Sequence, residues 1–279
     1  MKNLQLKSAR FAALFLLLSV FLFSCTDQQG GLNTTHYGQS VSMGNGSVRS
    51  FITLNPGNIP VQIGYEITPA AIQNLPAASH EDSMIFYADS TGMGDMPMPS
   101  HEYLVPLDAA AKKYTVFDHL AANWNPLGHM PVGVYSRPHF DFHFYNMPLA
   151  EREKIPAYMD DPTGFDQLPA DGYLPADYIR VPGGEARMGT HWADKTAPEL
   201  NGGAFTQTFI YGSYNSKETF YEPMVTLAYL QSVTTFSGAI KQPAKHLTTG
   251  YYPTQYLIYS DASGKRYVVL TGFVKYIAN

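Results

Sequence analysis

The stretch Pro138-His139-Phe140-Asp141-Phe142-His143-Phe144-Tyr145 alternates apolar and polar side chains with a period of two. That is the period of a β-strand, whose successive side chains point to opposite faces. One face of such a strand is all Phe and demands a core. The other carries His139, Asp141 and His143 in a row. A helix would also place His139 and His143 on one face, at i and i+4. The alternating aromatic residues favour the strand.

Three polar side chains in a line do not close easily on one ion. On an extended strand, residues two apart are separated by about 7 Å and residues four apart by about 13 Å. An imidazole reaches its metal roughly 5 to 6 Å from Cβ. His139 and His143 therefore meet at one ion only across a bulge or a strong twist. Asp141 with either neighbouring histidine is the easier pair, and further ligands must come from other strands. Two distant residues are candidates. His191 lies in Met188-Gly189-Thr190-His191-Trp192, and Glu222 lies in Phe220-Tyr221-Glu222-Pro223-Met224, at the start of an apolar strand. A carboxylate there pairs, binds a metal or faces solvent. Two or three histidines with a carboxylate suit a divalent metal such as Zn, Mn, Fe or Cu.

Blander readings exist for each residue. The polar face of the strand could lie against water, as in many half-exposed antiparallel sheets. His191 could cap a loop, and Glu222 could pair with Arg137 or Arg187. A metal-free acid–base site is a third reading. His119 and His129, which flank the loop-like Trp124 to Gly128, read as structural. Met93, Met96 and Met98 near His101 could offer thioethers to Cu(I), or could simply cover apolar surface.

Strand-like runs dominate the chain: 47–54, 60–67, 83–88, 103–107, 205–211, 220–229, 255–259 and 267–276. Asn55-Pro56-Gly57-Asn58 and Asp261-Ala262-Ser263-Gly264-Lys265 carry turn chemistry between such runs. Thr68-Pro69 predicts a capped short helix stopping near Pro76, and 150–154 predicts another. Residues 156–190 are rich in Pro, Gly and Asp, and so long a connection is usually functional or packed on itself. The fold class expected is mainly β, an antiparallel sandwich or barrel-like domain with a few short helices.

The first 25 residues read as an export leader. Lys2, Lys7 and Arg10 precede an apolar run from Phe11 to Phe23. That run suits a signal peptide and is short for a membrane span, which needs about 20 residues. It ends Leu22-Phe23-Ser24-Cys25, similar to a bacterial lipobox, and Cys25 is the single cysteine. Lipidation of Cys25 implies a membrane anchor, a flexible tether over 26–36 and a single β-rich domain over 37–279. Of 18 Lys+Arg, the three in the leader are then lost, leaving 15 against 23 Asp+Glu, a net charge of about −8. No basic patch points to nucleic acid. A domain without cysteine holds together by burial, or by burial and a metal.

Two resemblances add to this. Gly133, then His139 and His143, are similar to the opening of the first cupin motif, a small β-barrel family with His and Glu metal ligands. Cupins space two histidines two apart, and here Asp141 occupies that place. Trp124-Asn125-Pro126 with Gly128-His129, then 138–145, Gly189-Thr190-His191-Trp192, 209–214 and Glu222-Pro223-Met224-Val225-Thr226 resemble an uncharacterised family of exported bacterial proteins. One representative of that family comes from Thermus and is under extracytoplasmic sigma-factor control. The resemblance spans about residues 37 to 230 and implies export with an envelope-stress context.

The functional expectation is a lipid-anchored cell-envelope protein that binds a divalent metal through His139, Asp141, His143, His191 and Glu222. A catalytic ion there would polarise a carbonyl or activate water, with a spare carboxylate as base. The alternative is a non-enzymatic ligand- or partner-binding module, its 20 tyrosines offering an aromatic surface to carbohydrate or protein. A structural oligomer subunit is a third.

Overall fold

Turn chemistry and strand alternation organise the chain as expected. In the computed structural model, which describes residues 31–78, 84–87 and 96–279, the strands Gly46–Leu54 and Pro60–Ile67 form an antiparallel hairpin. Its turn is held by Asn55 Oδ1, which accepts from the amides of Gly57 and Ile59 at 2.9 Å each. The leader with Cys25, and residues 93–95 of the methionine loop, lie outside the described residues.

Two antiparallel sheets result. The first runs in the order Thr34–Tyr37, Gly46–Leu54, Pro60–Ile67, Arg266–Thr271, Gln255–Ser260, Thr235–Ala239, with Val41–Met43 also on Gly46–Leu54. The second runs Tyr178–Arg180, Thr190–Asp194, Gln207–Tyr214, Lys217–Thr226, His139–Tyr145, His119–Asn125, His101–Val105. The sheets stack as a sandwich and do not close into a barrel, so of the two expected architectures the barrel-like one is excluded. Phe140, Phe142 and Phe144, each fully buried, supply the inner face of the second sheet. Tyr65 from the first sheet packs on Phe142 and Phe144 with ring centroids 4.9 and 5.2 Å away. Its hydroxyl lies 2.6 Å from the His143 carbonyl and 2.9 Å from that of Ala121, so it tethers the sheets where it can donate.

The chain departs from the sequence reading at several points. Strand begins at Thr34, inside the expected 26–36 tether, because this segment adds to the sheet edge opposite Phe51–Leu54. Thr68 does precede a short helix, Pro69–Ile72, but its hydroxyl accepts from the Ser47 amide at 2.9 Å instead of capping. The expected 267–276 strand breaks in two, at Gly272 with φ 67°. The 220–229 run ends as strand at Thr226, where helix Leu227–Ser232 begins. Thr226 Oγ1 accepts from the Tyr229 amide at 3.3 Å and donates to the Thr206 carbonyl at 3.1 Å. Thr226→Ala is expected to cost about 1–2 kcal/mol, read as a lower urea midpoint with an unchanged slope.

Tyr211, Tyr221, Tyr252 and Tyr256 are buried in the core, so these tyrosines of the C-terminal third do not form the aromatic surface that the binding-module reading requires.

Candidate metal centre

The outer face of the second sheet is the polar one, and it is not solvated. His139 and His143 are fully buried, and Asp141 and Glu222 nearly so. This overturns the reading of a water-facing strand. The reason lies in the long connections: residues such as Tyr135, Glu185, Met188 and Phe205 come from outside the sheet and are themselves buried over this face. Glu222 does not pair with Arg187, which turns to Glu102 instead, at 3.2 Å.

Strand register decides which polar residues meet. Asp141 pairs with Met224 and Phe144 with Tyr221, so Glu222 sits across from His143. Ile210 pairs with Glu222, Gly212 with Phe220, and His191 with Gly212. His191 therefore lies two strands from Lys217–Thr226, on the side chain face that also carries Glu222. His143, His191 and Glu222 converge as one triad, their ligand atoms all within 4.8 Å of one another. His143 Nε2 is 3.6 Å from Glu222 Oε2, and His191 Nε2 is 3.8 Å from the same oxygen.

A second triad forms at the other end of the row, from His129, His139 and Asp141. His139 Nε2 is 3.1 Å from Asp141 Oδ1, and His129 Nε2 is 3.6 Å from Asp141 Oδ2. His139 and His143 go to different triads, as the spacing along an extended strand requires. His129, which reads from sequence as structural, is the one member of the two triads that the sequence does not single out. The available signal was its place one loop before His139, in Gly128-His129. His119, also expected in a loop, opens a strand and stacks on Tyr145 at 4.6 Å; Tyr145 in turn stacks on His143 at 5.3 Å.

Two of these separations, His143–Glu222 and His129–Asp141 at 3.6 Å, match ligand atoms on one cation, whereas His139–Asp141 at 3.1 Å is also within hydrogen-bond reach. Metal–ligand bonds of about 2.0–2.2 Å at tetrahedral angles hold ligand atoms roughly 3.3–3.6 Å apart. An N–H···O bond is about 2.7–3.2 Å. His143 Nε2, Glu222 Oε2, His139 Nε2 and Asp141 Oδ1 are all buried without a hydrogen bond among the described residues. The surrounding hydrogen bonds fix the histidine tautomers. His139 Nδ1 is 2.6 Å from the Arg137 carbonyl, and His129 Nδ1 is 2.7 Å from the Met130 carbonyl. A carbonyl only accepts, so Nδ1 carries the proton in both rings and Nε2 faces the site. Asn125 Nδ2 donates to Asp141 Oδ2 at 2.7 Å, which orients the carboxylate.

Burial and neighbouring charges set the protonation of these side chains. Burial pushes His143 down to about 3. Burial, with the nearby His129, brings His191 down to about 4. Both imidazoles are therefore neutral at ordinary pH, the form that ligates. Burial, and then the charge of Asp141, pushes Glu222 well above the usual carboxylate range. Burial works against Asp141 as well, but His139 and His129 outweigh it and hold that carboxyl well below its ordinary value. Two neighbouring buried carboxyls thus divide into one ionised and one neutral.

A cleft opens between the triads, with a volume of about 50 Å³. His129 and Asp141 of one triad line it, with His191 of the other. No protein-family model, curated protein or solved structure matches this chain.

Proposed function

We propose that the β-domain binds two divalent ions, one in each triad, and that the chain works in the cell envelope, exported and anchored through lipid on Cys25. The observation that carries the metal reading is the repeated ligand set. Each triad brings two histidines and one carboxylate together on a buried face, with all ligand atoms within 4.8 Å of one another. Three protein ligands leave a coordination position open, as in catalytic sites, whereas structural zinc sites use four. Zn, Mn, Fe and Cu all accept this donor set. Export and anchoring rest on the basic start, the short apolar run and the single cysteine that ends it.

The test is elemental analysis of the chain, purified without a metal-binding tag and loaded in turn with Zn, Mn, Fe and Cu. The expected parent content is about two ions per chain. His143→Ala with His191→Ala should remove one ion, and His129→Ala with His139→Ala the other. A parent that takes up no ion after loading would sink the metal reading. Mass spectrometry of the membrane fraction is expected to find diacylglycerol on Cys25, and an unmodified cysteine there would sink the anchor.

A further inference from the structure

One carboxylate on the cleft wall belongs to neither triad. Glu185 lines the cleft with His129, Asp141 and His191. It is 97 % buried, with 3 % of its surface exposed; its side chain makes no hydrogen bond or ion pair among the described residues, and its oxygens are not among the fully enclosed ones, so what it exposes it presents to the cleft. A buried carboxylate without a partner costs stability, and such residues gather where chemistry is done. Its backbone is firmly placed. Glu185 and Gly189 exchange amide–carbonyl bonds of 3.0 and 2.9 Å across a tight turn. Gly189, at φ 107°, packs so closely that a Cβ there would meet the Ser213 carbonyl oxygen at 2.4 Å. Two residues beyond Gly189 comes the ligand His191, so the turn couples the position of Glu185 to that of the triad.

Resting on the two-metal reading, we infer that Glu185 is the proton-transferring carboxylate of a metal-assisted hydrolase that cleaves small, uncharged carboxylic esters in this cleft. Three observations on the cleft define the substrate class. The remaining walls are largely apolar, including Met130, Val181, Met188, Ile210 and Met224. No Lys or Arg lines it among the described residues, so a phosphate or polyanion would find no cationic side chain there. About 50 Å³ holds roughly three to five water-sized groups, enough for a reacting carbonyl with a short acyl chain.

The reaction consumes one water per ester. With cations in the triads, the nearby positive charge would favour the ionised form of Glu185, which would then take a proton from a water polarised at the open coordination position as that water's oxygen bonds to the carbonyl carbon. Collapse of the tetrahedral adduct breaks the bond from carbon to the alkoxy oxygen. That oxygen leaves with the electron pair and takes the proton from Glu185, releasing an acid and an alcohol.

The test compares parent and Glu185→Gln, both metal-loaded, in the hydrolysis of phenyl acetate and phenyl butyrate, with bis(p-nitrophenyl) phosphate as the anionic contrast. The expected result is ester turnover by the parent and a loss of about 10²–10⁴-fold in kcat for Glu185→Gln, with metal content and melting temperature unchanged. A variant within threefold of the parent overturns the assignment. A variant that has lost an ion overturns it too, since Glu185 would then be a ligand. Faster turnover of the phosphate diester overturns the substrate class. A parent that holds two ions but cleaves no ester overturns this inference and leaves the metal reading standing. A parent without ions removes both.

Discussion

Arg152→Ala is expected to destabilise the domain by about 3–5 kcal/mol, the usual cost of removing one partner from a buried ion pair. Arg152 is fully buried at the end of the short helix Leu149–Arg152. Its guanidinium forms a close ion pair with Glu102, on the strand at the edge of the second sheet. It also lies 4.5 Å above the Tyr145 ring, and its Nε donates to the Arg187 carbonyl at 2.9 Å. Removing it strips Glu102 of its nearer cation, frees the Arg187 carbonyl and leaves a void beside Tyr145. For a domain of this size the shift in melting temperature is roughly 6–20 °C, read by circular dichroism. Arg152→Lys should recover part of it, since it restores the charge but not the fork. A variant within 1 kcal/mol of the parent would show that Arg187 alone, 3.2 Å from Glu102, suffices to compensate that carboxylate. The loosened Arg187 segment also carries Glu185, so metal-loaded Arg152→Lys should lose hydrolysis before it loses its fold.

The second large effect is an opposite pH response with and without metal. In the metal-free chain, burial holds Glu222 and Glu185 well above the ordinary carboxylate range, each with a contribution from Asp141. Burial also raises Glu218, to about 8. Such groups are neutral when folded and ionised when unfolded once the pH passes about 4.5, so the folded state binds more protons there. Stability then falls as the pH rises, by about 1.4 kcal/mol per unit for each group. The histidines work the other way. His143 at about 3, and His191 and His119 at about 4, stay neutral when folded but are protonated when unfolded below about 6.5. Their stability is present above about 6.5 and is lost as the pH falls towards those folded values. Between about 4.5 and 6.5 the two sets oppose each other. From 6.5 to 8 the carboxyls dominate: Glu218 is expected to weaken the metal-free chain by about 1–2 kcal/mol, with Glu222 and Glu185 acting in the same direction, read as a falling urea midpoint in EDTA. With metal the sign reverses, because ligation needs Glu222 ionised and binding releases its proton. A flat metal-free profile from 6.5 to 8 would mean that these carboxyls are already ionised in the fold.

Much of the fold was legible because its signals are local. The alternation over 139–145 fixes which side chains share a face, whatever the strand packs against. Asn55 and Gly264 mark hairpin turns through their own backbone chemistry. The cap at Thr226 was hidden inside a β-forming run, because Leu227-Ala228-Tyr229-Leu230 suits a strand as well as a helix. The centre was legible in its members more than in its grouping. His139, Asp141, His143, His191 and Glu222 stand out as polar residues among aromatic ones, yet nothing local says that His139 and His143 part company. Nor does anything local recruit His129, or leave Glu185 unpaired on a cleft wall.

Local chemistry along the chain sets the inner and outer faces of the central strand, the hairpins around it and the residue types available for a metal. Side chain periodicity and turn preferences act over a few residues and need no partner. Burial of the polar face, the placing of Glu222 across from His143, and the formation of two triads where one site was expected come from long-range packing. Those outcomes depend on register between strands up to about 80 residues apart and on the connections that cover the sheet. Burial then does what sequence cannot: it strips water from imidazole and carboxylate alike and brings them together in groups that could hold a cation.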